Sequence, residues 1–173
     1  MLTTTLTDAQ RQFMFEHGYL HLPGAVPTGL VHAARRVINH SLGSQGMDPQ
    51  KMMTYRARSY CPEVQDDPAI VDLLYASGVR GMVESLVGPD KACPNTKGQI
   101  ALRYPSLAKT LGDPKPHIDG VPTETNGVPS GKLCPFTLLV CVYLSAVPQS
   151  GSGTFHVWPG THRAFGEHFR THG

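Results

Sequence analysis

The tripeptide His117-Ile118-Asp119 is the strongest chemical signal in the sequence. On an extended backbone, residues i and i+2 point to the same side, so His117 and Asp119 can reach one metal ion together while Ile118 points away into apolar packing. A neutral imidazole and an ionised carboxylate are ligands of the two-histidine, one-carboxylate site that binds non-haem Fe(II). The same tripeptide also arises by chance, as a loop histidine beside a turn aspartate.

The neighbours of the tripeptide favour a rigid metal-binding loop. Pro114 and Pro116 stiffen the backbone before it, and Gly120 turns the chain directly after it. A different metal enzyme, such as a cupin-like hydrolase or isomerase, would need a further His or Glu close by. The nearest such acid is Glu124, and nothing in the sequence marks it as a ligand.

A second motif runs from Gly151 to Arg163 and contains Gly-Thr-Phe-His-Val-Trp-Pro-Gly-Thr-His-Arg. By itself it predicts a hairpin, with a glycine turn, a strand and a Pro-Gly turn. Four histidines in or after this motif are candidates for a third metal ligand, although each also has an ordinary explanation as a strand, turn or tail residue: His156, His162, His168 and His172.

Residues 1–90 predict mainly helices. Thr7 and Gln10 form a capping box that opens the first helix, and Gly18 closes it. Apolar residues between Leu30 and Leu42 recur with a helical period, and Asp67-Pro68 is a typical helix start. Residues 43–66 have no clear period and predict a long loop with at most one helical turn.

Residues 98–173 predict strands and turns. The expected strands, including one short strand in the first half, are Tyr19–Leu22, Gln99–Tyr104, Phe136–Leu144 and Thr154–Trp158. Phe136–Leu144 is rich in β-branched and aromatic residues and too continuously apolar for a half-exposed strand, which predicts a buried central strand. The expected fold class is therefore mainly β with N-terminal helices (α+β), a jelly roll with a helical annex.

Composition and charge exclude several classes of protein. The chain has 173 residues, 40% of them hydrophobic, and a net charge of +2 that is not concentrated in any basic stretch. A nucleic-acid partner therefore has no electrostatic support. The N-terminus lacks the pattern of a signal peptide, and the longest apolar run is too short to cross a membrane. We expect a soluble, cytoplasmic protein with four reduced cysteines.

Taken together, the motifs resemble those of the phytanoyl-CoA dioxygenase family. The resemblance rests on their order and spacing: Phe15-Glu16-His17-Gly18-Tyr19-Leu20, Gln99 to Pro105, His117-x-Asp119, and Gly153-Thr154-Phe155-x-Val157-x-Pro159-Gly160-Thr161-His162-Arg163. It runs from about residue 10 to the end of the chain. The family consists of Fe(II)- and 2-oxoglutarate-dependent oxygenases built on a double-stranded β-helix.

The resemblance implies a cofactor, a cosubstrate and a set of site residues. His117 and Asp119 would be the first two Fe(II) ligands, with 2-oxoglutarate as cosubstrate and ascorbate as the reductant in vitro. Gln99 and Arg103 would lie on a strand that lines the pocket, although a solvent-facing or salt-bridged pair explains them as well. The reaction would hydroxylate a small organic metabolite, with no nucleic acid or membrane as partner.

The sequence differs from the family in one respect. The family's third iron ligand and its oxoglutarate-binding arginine follow well after the Pro-Gly-Thr-His turn, whereas the sequence ends at Gly173, eleven residues beyond His162. We therefore expect a single domain, 1–173, with a helical part over 1–90 and the first half of the jelly roll over 98–173, a partial double-stranded β-helix without the C-terminal part. This chain alone should bind Fe(II) weakly, turn over no 2-oxoglutarate and self-associate through uncovered strands. The alternative is a catalytically inactive relative that acts as a ligand- or partner-binding scaffold.

Overall fold

The computed structural model describes residues 4–103, 116–134, 136–148 and 153–172. Their regular structure is helical. These described residues contain six α-helices: α1 (Asp8–His17), α2 (Thr28–Gln45), α3 (Met52–Ala57), α4 (Pro68–Tyr75), α5 (Val79–Val87) and α6 (Thr161–His172). Short 3₁₀ turns at Pro49–Lys51 and Pro62–Val64 connect α2 to α3 and α3 to α4. None of the helices in the described part of the chain is long and apolar enough to span a membrane.

The start and end of α1 confirm the predicted capping signals. The Gln10 backbone N–H donates to Thr7 Oγ1 at 3.2 Å, and the Thr7 backbone N–H donates to Gln10 Oε1 at 2.9 Å. These reciprocal bonds satisfy two backbone donors that a helix start leaves open. Gly18 ends the helix with φ +78° and donates its N–H to Met14 O at 2.8 Å.

The predicted start of α4 is also confirmed. The Asp67 carboxylate accepts the Ala69 N–H at 2.8 Å, and Pro68 occupies the first helical position, where its missing N–H costs nothing. Ser77, fully buried between α4 and α5, donates its hydroxyl to Leu73 O and accepts the Val79 N–H. The side chain of Ser77 therefore ties the two helices together.

The buried core lies within the helical part. Helix α2 packs against α4, and one cluster joins them to the segment that follows α3; its buried members are Ala34, Ile38, Tyr60, Cys61, Ile70, Leu73 and Ile100. A second, smaller cluster forms where the chain start meets α5 and consists of Leu6, Val79 and Met82. The sequence signals were strongest for these helices because amphipathic period and caps are both local properties.

The predicted α+β class, with a partial double-stranded β-helix, is wrong for the described residues, because they contain no β-strand. A strand requires a ladder of backbone hydrogen bonds to a neighbour. Ile100 illustrates the difference: its N–H donates to Ser59 Oγ at 2.9 Å and its C=O accepts the Tyr60 N–H at 2.9 Å. Residue 104, at the end of this predicted strand, lies outside the described residues.

The segment Phe136–Leu144 shows why the strand prediction failed. It was expected to be a buried central strand, but Phe136 is 51% exposed and Leu139 is 52% exposed. Only Val142 and Leu144 pack, partly buried, against the main core cluster. An apolar run indicates that a segment can be buried. The segment becomes a strand only where a neighbouring segment pairs with it.

Two helices were not predicted. Helix α3 lies in the stretch 43–66 that was expected to be mainly a loop, and α6 replaces the expected turn and solvated tail. In α6 the aromatic residues Phe165 and Phe169 are four positions apart and stack at 6.4 Å between ring centroids. A spacing of four residues indicates a helix, but the interpretation of residues 98–173 as strands did not take it into account.

Candidate metal site

His117 and Asp119 lie side by side in the structure. His117 Nε2 is 3.3 Å from Asp119 Oδ1, and the side chains are 76% and 50% exposed. The chain turns directly after them: Gly120 has φ +85°, and its C=O accepts the Cys134 N–H at 3.0 Å. A contact between two side chains this exposed contributes little to stability.

The distance between the two donor atoms suits a shared metal ion. Imidazole nitrogen and carboxylate oxygen bind divalent cations at about 2.0–2.2 Å, so two such donors at right angles around one ion are about 3 Å apart. The observed separation of 3.3 Å is close to this value.

A shallow depression of about 420 Å³ opens beside the pair. Its lining consists of His117, Ile118, Asp119, Gly120, Val121, Thr123 and Asn126. Ile118, which was expected to point away into apolar packing, instead lines this depression and is 38% exposed. The depression is within the size range of small-molecule sites and combines two potential metal ligands with an apolar wall.

A tight turn holds the far wall of the depression. Asn126 Oδ1 accepts the Thr123 N–H at 3.1 Å and the Val128 N–H at 3.0 Å, while the amide Nδ2 donates to Val121 O at 2.8 Å. Thr123 Oγ1 accepts the Asn126 N–H at 3.2 Å. Sequence reasoning missed this turn, although Asn126-Gly127 is a common turn dipeptide.

Arg58 connects this turn to the helical core. Its Nε donates to Thr125 O at 3.0 Å, and its guanidinium lies over Gly127, where φ is +79° and a Cβ atom would come within 2.8 Å of Nη2. The Arg58 side chain is exposed, and through these contacts it joins the segment after α3 to the loop that carries the candidate site.

The other predicted pocket residues lie elsewhere. Gln99 and Arg103 are exposed, and among the described residues that line the depression neither appears. Arg103 packs over Gly153, whose Cβ position is 3.1 Å from Arg103 Cγ. Both residues were assigned to the pocket through a strand, and residues 99–103 are not a strand.

The candidate third ligands are not gathered around His117 and Asp119. His162 Nε2 is 3.0 Å from Phe15 O, His156 is exposed, and His168 and His172 lie on α6. Among the residues that the structure describes, no group of three or more His, Cys, Asp or Glu side chains could hold a metal ion. The described residues therefore supply two donors of the expected three.

Comparisons with known proteins leave the family open. The chain matches no protein-family model, no curated protein and no solved structure. The phytanoyl-CoA dioxygenase resemblance therefore rests on the quoted motifs alone and stays a prediction.

Proposed function

We propose that His117 and Asp119 bind Fe(II) in an oxygenase that uses 2-oxoglutarate to hydroxylate a small organic molecule. The observation that carries the proposal is the convergence of His117 Nε2 and Asp119 Oδ1 at 3.3 Å beside an open depression. The order of the motifs along the sequence supports the choice of this reaction class. The proposal does not depend on a β-sheet, since both ligands come from one loop.

The donor set fits two positions of the Fe(II) site. One nitrogen and one carboxylate oxygen are the ligand types that this ion takes in oxygenases, and no third His, Cys, Asp or Glu joins them among the described residues. When bound, Fe(II) with O₂ supplies the oxidation: 2-oxoglutarate becomes succinate and CO₂, and one C–H bond of the substrate becomes C–OH. Two protein donors alone hold Fe(II) weakly, because it is low in the affinity order of divalent metals.

The remaining residues of the depression shape it. The side chains of Ile118 and Val121 present apolar surface beside the two donors, which are themselves largely exposed. Asn126 uses its side-chain oxygen and nitrogen within the turn. Asn126 therefore fixes the wall, and the apolar wall favours a substrate with a hydrocarbon portion next to the metal.

A second candidate function is a non-catalytic scaffold that binds a ligand or a partner. One observation favours it, namely the many large apolar side chains that are exposed between residues 118 and 158. They include Ile118, Val121, Leu133, Phe136, Leu139, Val140, Tyr143, Phe155, Val157 and Trp158. Surfaces of this kind often mark interaction sites.

An anaerobic titration with Fe(II) and 2-oxoglutarate tests the proposed function. Chelation of 2-oxoglutarate to protein-bound Fe(II) gives a weak visible charge-transfer band, which we expect for the wild type and expect to lose in His117→Ala and in Asp119→Ala. His40→Ala is the matched control, because it removes an exposed histidine from α2 that is not a candidate ligand. A band of equal strength in His117→Ala, or no band in the wild type at saturating Fe(II), contradicts the oxygenase and favours the scaffold.

A further inference from the structure

Helix α6 carries two histidines that face the same way. His168 and His172 are four positions apart, which places them one above the other on a helix surface. Their ring centroids are 4.7 Å apart and their planes differ by only 20°. Both residues are exposed, so the stacked rings can turn about their side-chain bonds to face one ion from solvent without any change in the fold.

Two oxygen atoms lie close to one nitrogen of the second imidazole. His172 Nδ1 is 2.7 Å from Thr171 Oγ1 and 3.2 Å from the backbone oxygen of His168. With the hydrogen on Nδ1, this nitrogen donates to the carbonyl and Nε2 keeps a free lone pair. Histidines that bind metals are commonly fixed in this way, with one ring nitrogen donating to a carbonyl and the other facing the ion.

We propose that His168 and His172 form a two-imidazole binding site for Zn²⁺, separate from the pair His117 and Asp119 and independent of the proposed oxygenase. Histidines at i and i+4 on one helix face provide two of the zinc ligands in known helical sites, and here water would complete the coordination. A site with nitrogen donors alone favours Zn²⁺ over Fe(II), which is lower in the affinity order. The nearby cation Arg170 donates its Nε to Gly166 O at 3.1 Å.

Zinc at this site would also stabilise α6. Every described residue of the helix is exposed, so the helix depends on contacts within itself and at its first turn. An ion held by both His168 and His172 joins adjacent turns near the C-terminal end. Zinc should therefore slow amide exchange in residues 161–172, a change that does not require any enzymatic activity.

The test uses the full chain and Zn²⁺ alone, with equilibrium dialysis for stoichiometry and hydrogen–deuterium exchange for α6. We expect His168→Ala and His172→Ala each to lose one bound equivalent of zinc and the zinc-dependent protection of residues 161–172. His40→Ala, which removes an exposed histidine from α2, should lose neither. His117→Ala should keep the protection of α6, so a failure of the proposed oxygenase does not alter this result.

A rearranged variant tests the spacing itself. Combining Arg170→His with His172→Arg keeps composition and charge but separates the two imidazoles by about 200° around the helix. We expect at least a tenfold loss of zinc affinity in this variant. Equal affinity in the rearranged variant, or zinc-dependent protection of α6 that survives in His168→Ala, overturns the proposal.

Discussion

Replacing Gly18 with alanine tests how the Pro-Gly-Thr-His-Arg motif packs on the end of α1. Gly18 has φ +78°, and an added Cβ would overlap the imidazole of His162. That imidazole lies with Nε2 3.0 Å from Phe15 O, one of the carbonyls that the helix end leaves without an intrahelical partner. Arg163 adds a second contact, with its guanidinium 4.7 Å above the Phe15 ring.

The expected cost of Gly18→Ala has two parts. A left-handed backbone costs a residue with a Cβ about 1–2 kcal/mol. Displacing His162 costs about 0.5–1.5 kcal/mol for the lost hydrogen bond. The sum is about 1.5–3.5 kcal/mol in the free energy of unfolding, and in a His162→Ala background only the backbone part, about 1–2 kcal/mol, should remain.

Urea unfolding of the wild type, Gly18→Ala, His162→Ala and the double variant measures the coupling between Gly18 and His162. Gly24→Ala is the matched control, because Gly24 has φ +74° but no atom within 4 Å of its Cβ position. It should cost only the backbone part. The reasoning is refuted if Gly18→Ala costs no more than Gly24→Ala, or costs the same with and without the imidazole of His162.

Three further predictions concern the core, the site loop and the thiols. Ser77→Ala should lower the free energy of unfolding by about 1–3 kcal/mol in urea denaturation, because it leaves a buried backbone N–H without its acceptor. Arg58→Ala should speed amide exchange in residues 121–128, and Arg58→Lys should restore it only in part, since a lysine lacks the planar fork. Burial raises the pKa of the Cys61 thiol, so maleimide should label Cys61 more slowly than exposed Cys93 at neutral pH. The raised pKa contributes stability that is fully present below the ordinary thiol pKa of about 8.5 and is lost as the pH rises through the raised value. Measurements of unfolding across that pH range check this expectation.

The helices could be predicted from the sequence where their signals were local. The Thr7 and Gln10 capping box and the Asp67-Pro68 start depend on residues within one turn, and both are present in the structure. The strands could not be predicted in the same way. Phe136–Leu144 has the composition of a strand, but strand formation depends on a partner far away in sequence, and composition carries no information about that partner.

The candidate site was partly predictable for the same reason. The proximity of His117 and Asp119 depends on a spacing of two residues, which a motif contains. The contribution of Arg58 was missed because it crosses 67 positions of sequence to reach Thr125. Gln99 was assigned to the pocket only through a predicted strand, and residue 99 does not lie in a strand.

The most direct test of the central claim is whether His117 and Asp119 bind one Fe(II) ion together. Anaerobic equilibrium dialysis should be carried out in a His168→Ala/His172→Ala background, so that metal binding by the two histidines of α6 does not contribute. We expect His117→Ala and Asp119→Ala each to weaken Fe(II) binding at least tenfold, and the double variant to be no weaker than the worse single variant. Unchanged binding in either single variant, or losses that add independently, would contradict a shared site.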